Sequence, residues 1–282
     1  MRRTEKKIAK LPTKTSTNMG MFSWFCLVIG CTAGWGMRVS AESQPVDAEP
    51  IEEERLIHTR VSDVVTLPKG RSQVDWMFFF QDLDHAEAIS NALGIRHGLT
   101  DRVEVGAFLW HTWMEPFTSD SFGGFNDSTL YAKYALVRPD DSNDFPLDVT
   151  VGGMFFVPTG SVERGFGFGE PYFGGFVAIS KPLGSITLQA IYERVNMDGP
   201  TWRDFNAWGA AAFYHVDRLR TISLEVAGNE KRQEHGGDWL AATVGLHLAH
   251  PRLPMITRVG LIAGMNDAPY QWAVAFGLSF GL

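Results

Sequence analysis

From Tyr270 to Leu282 every second residue is large and apolar: Tyr270, Trp272, Val274, Phe276, Leu278, Phe280 and Leu282. Between them stand Gln271, Ala273, Ala275, Gly277, Ser279 and Gly281, all small or polar. Alternation with period two is the mark of a β-strand with one apolar face and one slim face. A soluble sheet covers its apolar face with further protein. Weaker alternation of the same kind runs back through most of the chain, so lipid is the cover that accounts for all of it. The pattern predicts an all-β fold, a transmembrane antiparallel up-and-down β-barrel.

Twelve alternating segments can be marked. They are Arg71–Gln81, Ala86–His97, Arg102–Trp113, Ser128–Arg138, Leu147–Val157, Tyr172–Lys181, Ser185–Asn196, Phe205–Val216, Leu219–Ala227, Trp239–His250, Pro254–Gly264 and Tyr270–Leu282. Each approaches the ~9–11 residues that a tilted strand needs to cross the hydrocarbon core. Short turn-rich joints (Gly98–Asp101, Pro182–Gly184, Val216–Arg218, His250–Arg252) alternate with longer links (Glu115–Asp127, Pro158–Pro171, Met197–Asp204, Asn229–Asp238). Short periplasmic turns and long outer loops are the usual asymmetry of such barrels. Pro139–Pro146 is long for a turn and Asn266–Pro269 short for an outer loop. A soluble β-sandwich would show similar strands and turns, but not the aromatic outward face of Val74, Trp76, Phe78 and Phe80.

The N-terminus reads as an export signal. Arg2, Arg3, Lys6, Lys7, Lys10 and Lys14 precede an apolar run from Met21 to Trp35, and Val39-Ser40-Ala41 offers small residues for cleavage. The expected organisation is a signal peptide over 1–41, an acidic flexible periplasmic lead-in over 42–63, and the barrel over 64–282. Val28-Ile29-Gly30-Cys31 also resembles a lipoprotein acylation site, so lipidation of Cys31 stands as a second reading. Both cysteines, Cys26 and Cys31, lie in the leader, which leaves the mature chain without disulfides or thiol chemistry. The leader also holds 7 of the 25 Lys+Arg and 1 of the 32 Asp+Glu. The remaining 18 positive and 31 negative residues give a net charge of −13, which argues against nucleic acid as a partner.

Three local patterns stand out: Thr66-Leu67-Pro68-Lys69-Gly70 before the first strand, Gly98-Leu99-Thr100-Asp101-Arg102-Val103-Glu104-Val105-Gly106 across the first turn, and Pro158-Thr159-Gly160 closing the fifth segment. Together they resemble a family of outer-membrane barrels named for phenol degradation by the meta pathway and grouped with outer-membrane transporters. That resemblance covers 64–282 and implies a channel-like barrel in the outer membrane of a Gram-negative bacterium; it does not imply aromatic substrates. Elementary chemistry accounts for the motifs as well. Pro68 and Gly70 shape a strand entry, and Gly98 with Asp101 suits a turn. Arg96 and Glu104 flank that turn on one face, positioned for a cross-strand ion pair. Gly165-Phe166-Gly167-Phe168-Gly169 lacks the βαβ setting of a dinucleotide site and reads as an outer loop whose aromatics fold into the mouth.

Alternation assigns Asp75, Arg96, Glu104, Lys133, Asp148, Glu193, Glu225 and Arg258 to the lumen. Charge belongs there, because on the lipid face near the midplane it is costly. Five acids against three bases give a weak preference for cations. With twelve strands, between filled eight-stranded barrels and open porins, the expected lumen is narrow. The function that follows is passive uptake or export of small solutes, with no cofactor. The alternatives are a lipid hydrolase at the rim or a closed barrel whose outer loops bind a partner. A hydrolase needs a base within reach of a serine; His111 with Ser119 and Ser121 is the candidate set, and no His-x-Ser pattern occurs. His247 and His250 are the nearest approach to a metal pair. Expected partners are outer-membrane lipid and lipopolysaccharide, and the barrel-assembly machinery acting on Tyr270–Leu282.

Overall fold

The structure, a computed structural model, describes residues 64–83, 86–117, 120–138, 146–164, 166–196, 204–230, 239–266 and 270–282. The proposed leader and lead-in, 1–63, lie outside the described residues, as does most of Pro139–Pro146. Among those described, no helix is long and apolar enough to cross a membrane. The elements are β1 (Ser72–Leu83), β2 (Ala86–Thr100), β3 (Val103–Pro116), β4 (Phe122–Phe125), β5 (Ser128–Val137), β6 (Asp148–Val157), β7 (Tyr172–Leu183), β8 (Ile186–Asn196), β9 (Phe205–His215), β10 (Arg220–Asn229), β11 (Trp239–Ala249), β12 (Met255–Asn266) and β13 (Tyr270–Gly281). A 3-10 turn, Val162–Arg164, lies between β6 and β7.

Neighbours in sequence are neighbours in the sheet, and β1 pairs with both β2 and β13, so the sheet closes into an antiparallel barrel. At the seam Leu282 N donates to Ser72 O at 2.8 Å. The barrel has twelve staves, because β4 and β5 together form one. β3 pairs with β5 over Val103–Phe108 and with β4 over His111–Met114, the ladder slipping by one residue at Asn126–Asp127. Such a slip is a bulge, which bends the stave and raises its local twist.

The sequence assigns 122–125 to a loop, and the structure makes it strand. Its Phe-Gly-Gly-Phe composition hides the alternation. Both glycines are required by close packing, since a Cβ on Gly123 would sit 2.7 Å from the Trp113 ring and one on Gly124 2.7 Å from Phe166. The first turn also differs. β2 continues through Gly98 to Thr100, leaving only Asp101–Arg102 as the turn. Gly98 serves a close approach instead, for a Cβ there would lie 2.2 Å from Pro68 O. Gly70, at φ +77°, donates its N–H to Gly98 O at 2.8 Å, so the segment before β1 is laced to β2. At the turn after β9, the Arg220 guanidinium bonded to Asp217 holds that carboxyl below its ordinary range.

Alternation sorts the wall into two faces. Along β8 exposure switches at every residue, with Leu188 and Tyr192 outside and Gln189, Ile191, Glu193 and Val195 inside. Outside, Trp113, Trp208 and Trp272 ring the end that carries the long loops, and Tyr134 and Tyr214 ring the end that carries Ser72 and Leu282. Amphipathic aromatics at the two edges of an apolar band are what a bilayer requires. On the seam, Trp76 packs edge-on against Phe276 at 5.8 Å. Phe276→Arg is therefore expected to impair assembly, by about 2–4 kcal/mol if it lies near the midplane. Heat-modifiable gel migration and urea unfolding in detergent measure the loss.

Candidate functional site

The interior face follows from the same alternation. All eight charged residues assigned to the lumen are buried on the face opposite the exposed apolar side chains. Four of them converge near the terminal end of the barrel. Arg96 Nε lies 2.9 Å from Asp75 Oδ2, and its Nη1 lies 3.7 Å from Glu104 Oε1. Lys133 Nζ lies 3.3 Å from the same Glu104 oxygen. Glu104 and Lys133 sit directly opposite one another on β3 and β5, whereas Arg96 reaches Glu104 diagonally from β2.

Neutral groups complete the network. Tyr131 OH donates to Glu104 Oε1 at 2.8 Å, while Gln73 Nε2 donates to Asp75 Oδ1 at 2.6 Å and Ser279 Oγ donates to the same oxygen. Gly106 makes the Tyr131 contact possible, since a Cβ there would lie 2.5 Å from the tyrosine ring.

The network holds a piece of chain as well as itself. Leu67 N donates to Glu104 Oε2 at 2.7 Å, and Lys133 Nζ donates to Val65 O at 2.7 Å. Thr150 Oγ1 donates to Val64 O, and Thr66 Oγ1 donates to Asp101 O at 3.0 Å. Val64 packs among the inward side chains of Phe108, Tyr131, Met154, Phe176 and Ile191. Thus 64–67 are seated inside the barrel, not in its wall. Two of the three sequence patterns that carried the family resemblance meet here: the 66–70 segment is gripped by Asp101 and Glu104 of the second.

Above this network the interior turns apolar. Phe108 stacks on Tyr131 at 5.8 Å, and Phe79 on Trp110 at 5.9 Å. At the loop end Phe156 stacks on Tyr172 at 4.1 Å, with Phe168 edge-on to Tyr172 at 5.0 Å and Val195 and Phe205 beside them. Phe166 meets Phe122 at 5.7 Å. The loop after β6 is pinned there by Asp127, which accepts from Gly160 N at 2.9 Å and Phe168 N at 3.0 Å. Thr159 Oγ1 accepts from Ser128 N at 2.9 Å, so the third pattern anchors this loop.

The opposite wall is polar. Ser223 Oγ donates to Glu225 Oε1 at 3.0 Å and lies 3.2 Å from His247 Nε2. Arg258 pairs across the ladder with His247, and Glu193 lies opposite Phe176 on one side and Ala207 on the other. Asp148 lies at the start of β6, opposite Ser180.

His247 and His250 do not converge: His247 faces inward to Ser223, and His250 bonds Thr257. Among the described residues no group of three or more His, Cys, Asp or Glu side chains is arranged to hold a metal. His111 faces outward, edge-on to Phe125 at 5.1 Å; Ser119 lies outside the described residues and Ser121 is exposed. Sequence reading passed over Tyr131, Asp127, Ser223 and the backbone of 64–67. Tyr131 was within its reach, because it alternates with Lys133 and faces the glycine at 106.

No protein-family model and no curated protein matches the chain. Solved structures share its fold. The COG4313 outer membrane channel from Pseudomonas putida F1 is similar at a TM-score of 0.64 and 14% identity, covering 80% of this chain and 100% of that one. The KdgM porin gives 0.52 and 13%, covering 74% and 98%, and the NanC porin 0.51 and 12%, covering 73% and 98%. These neighbours are outer-membrane barrels, and the likeness is one of fold.

Glu104→Ala would leave two buried cations without their shared anion, an expected loss of about 3–5 kcal/mol in unfolding experiments. Tyr131→Phe removes one hydrogen bond to a charged group, at about 1.5–3 kcal/mol. Asp127→Ala should release the loop, so that limited proteolysis cuts within 158–171 while the staves stay intact.

Proposed function

We propose that this protein is an outer-membrane channel through which small solutes pass passively, with both chain ends on the periplasmic side. The observation that carries the reading is a closed, lipid-faced barrel whose interior holds a charged cluster at the terminal end, aromatic rings toward the loops and further charge along the opposite wall. A structural barrel needs no such division. Seating of 64–67 at the terminal end supports a narrow route and small conductance. The lining by Phe79, Trp110, Phe108 and Phe176 supports solutes that carry an apolar part beside a polar one. Three short motifs support membership of the phenol-degradation barrel family, without fixing the substrate. We further propose that Tyr270–Leu282 is read by the assembly machinery before closure, since in the finished barrel both edges of β13 are paired.

Discrete conductance steps in planar bilayers are expected of the refolded protein, and persistent silence counts against a pore. Changing Glu193 and Glu225 together to Gln should shift the reversal potential toward anions, because lumen charges tune selectivity. Unchanged selectivity in a folded, conducting double variant removes those acids from the path. A liposome-swelling series over graded solutes identifies the class that passes.

A further inference from the structure

The outer face of the β2–β3 hairpin departs from the rest of the lipid-facing wall. Its cross-strand rows run Glu87/Glu115, Ile89/Trp113, Asn91/His111, Leu93/Leu109 and Ile95/Ala107. Along β2 the apolar band extends from Ile89 to Leu99, about 25 Å of height for a tilted strand. Asn91 and His111 therefore sit one alternation, about 5 Å, inside the edge of that band. They lie opposite each other with both side chains outward, where an amide and an imidazole are out of place. Among the described residues neither side chain has a hydrogen-bond partner; His111 only rests edge-on against Phe125. His97, further down the same face, is by contrast bonded to Ser72 at 2.8 Å.

Directly below the pair the wall is hollowed. A groove of about 350 Å³ runs between Val74, Leu93, Ile95, Leu109 and Ser128, with Ala107 as its small floor. It is an open, apolar groove on the lipid side of the wall, not an enclosed pocket. A polar pair set over an apolar groove, near the loop-side edge of the band, has the polarity of an outer-leaflet amphiphile standing head up. The Glu87/Glu115 row above it disfavours phosphate or carboxylate heads.

We propose that this face binds one single-chain amphiphile with an uncharged hydrogen-bonding head, a monoacylglycerol being the model compound. Asn91 and His111 bond the head, and the acyl chain lies in the groove over Ala107. The site is on the lipid side of the wall and does not depend on solute passage through the lumen.

The test uses the full-length protein in nanodiscs with a monoacylglycerol that carries a diazirine on its acyl chain. After irradiation, adducts should concentrate on Leu93–Leu109 and fall about tenfold or more with excess unlabelled monoacylglycerol, the response of a saturable site. The same fall is expected in Ala107→Phe, which fills the groove, and in the double variant Asn91→Leu with His111→Leu, each checked for folding by gel migration. Competition on the unsubstituted protein decides the matter if a variant does not fold. Adducts spread evenly round the apolar band, or insensitive to competitor, would show ordinary surrounding lipid and overturn the proposal. A lysophosphatidate that competes as well as the neutral compound would overturn the assignment of the head.

Discussion

Hydrocarbon offers no hydrogen bonds, so a sheet that enters it must leave no edge. This one closes where β13 meets β1, and the composition of β13 follows from that meeting. Its inward residues Ala273, Ala275, Gly277 and Ser279 stand opposite Gln81, Phe79, Met77 and Asp75. Small side chains on one stave leave room for long ones on the other, and the last pair is tied by the Ser279–Asp75 hydrogen bond. The outward residues of the same strand are large because their neighbour is lipid. One strand thus satisfies three demands: closure, an apolar exterior and space inside.

A closed wall also decides where charge can go. Glu104 is buried yet gathers Lys133, Arg96, the Tyr131 hydroxyl and the Leu67 N–H around its two oxygens. A buried carboxylate persists only when partners of this kind replace water. The network spans β1, β2, β3 and β5 and reaches the chain ahead of β1, fixing the seating of 64–67 to the register of the wall.

The staves were legible in the sequence because period two is local: each residue's neighbours two away declare its face. The same rule put Glu104 and Lys133 inside without showing that they meet. The entry of 64–67 was not legible, because it is held largely through main-chain groups, Val64 O, Val65 O and Leu67 N, which leave no mark on residue type. β4 escaped notice for another reason. Its glycines are there for the Trp113 and Phe166 rings, so tertiary packing erased the alternation that would have announced a strand. Gly98 misled in the same way, its turn-like identity serving the approach of Pro68.

Placement of the eight interior charges changes what they can do to a passing ion. Asp75, Arg96, Glu104 and Lys133 bond one another, two acids and two bases in one cluster. Their fields largely cancel beyond a few ångströms, since opposite charges in contact look like a dipole from a distance. The excess of acid over base then rests on Asp148, Glu193 and Glu225 against Arg258. Arg258 stands beside His247, which in turn reaches the Ser223–Glu225 pair, so charge of both signs occupies that wall too. Glu193 stands higher on the wall, on β8, facing Phe176 on one neighbouring strand and Ala207 on the other. Because the four-residue cluster is balanced, any preference for cations in this lumen should originate in the acids outside it, where Asp148, Glu193 and Glu225 outnumber Arg258.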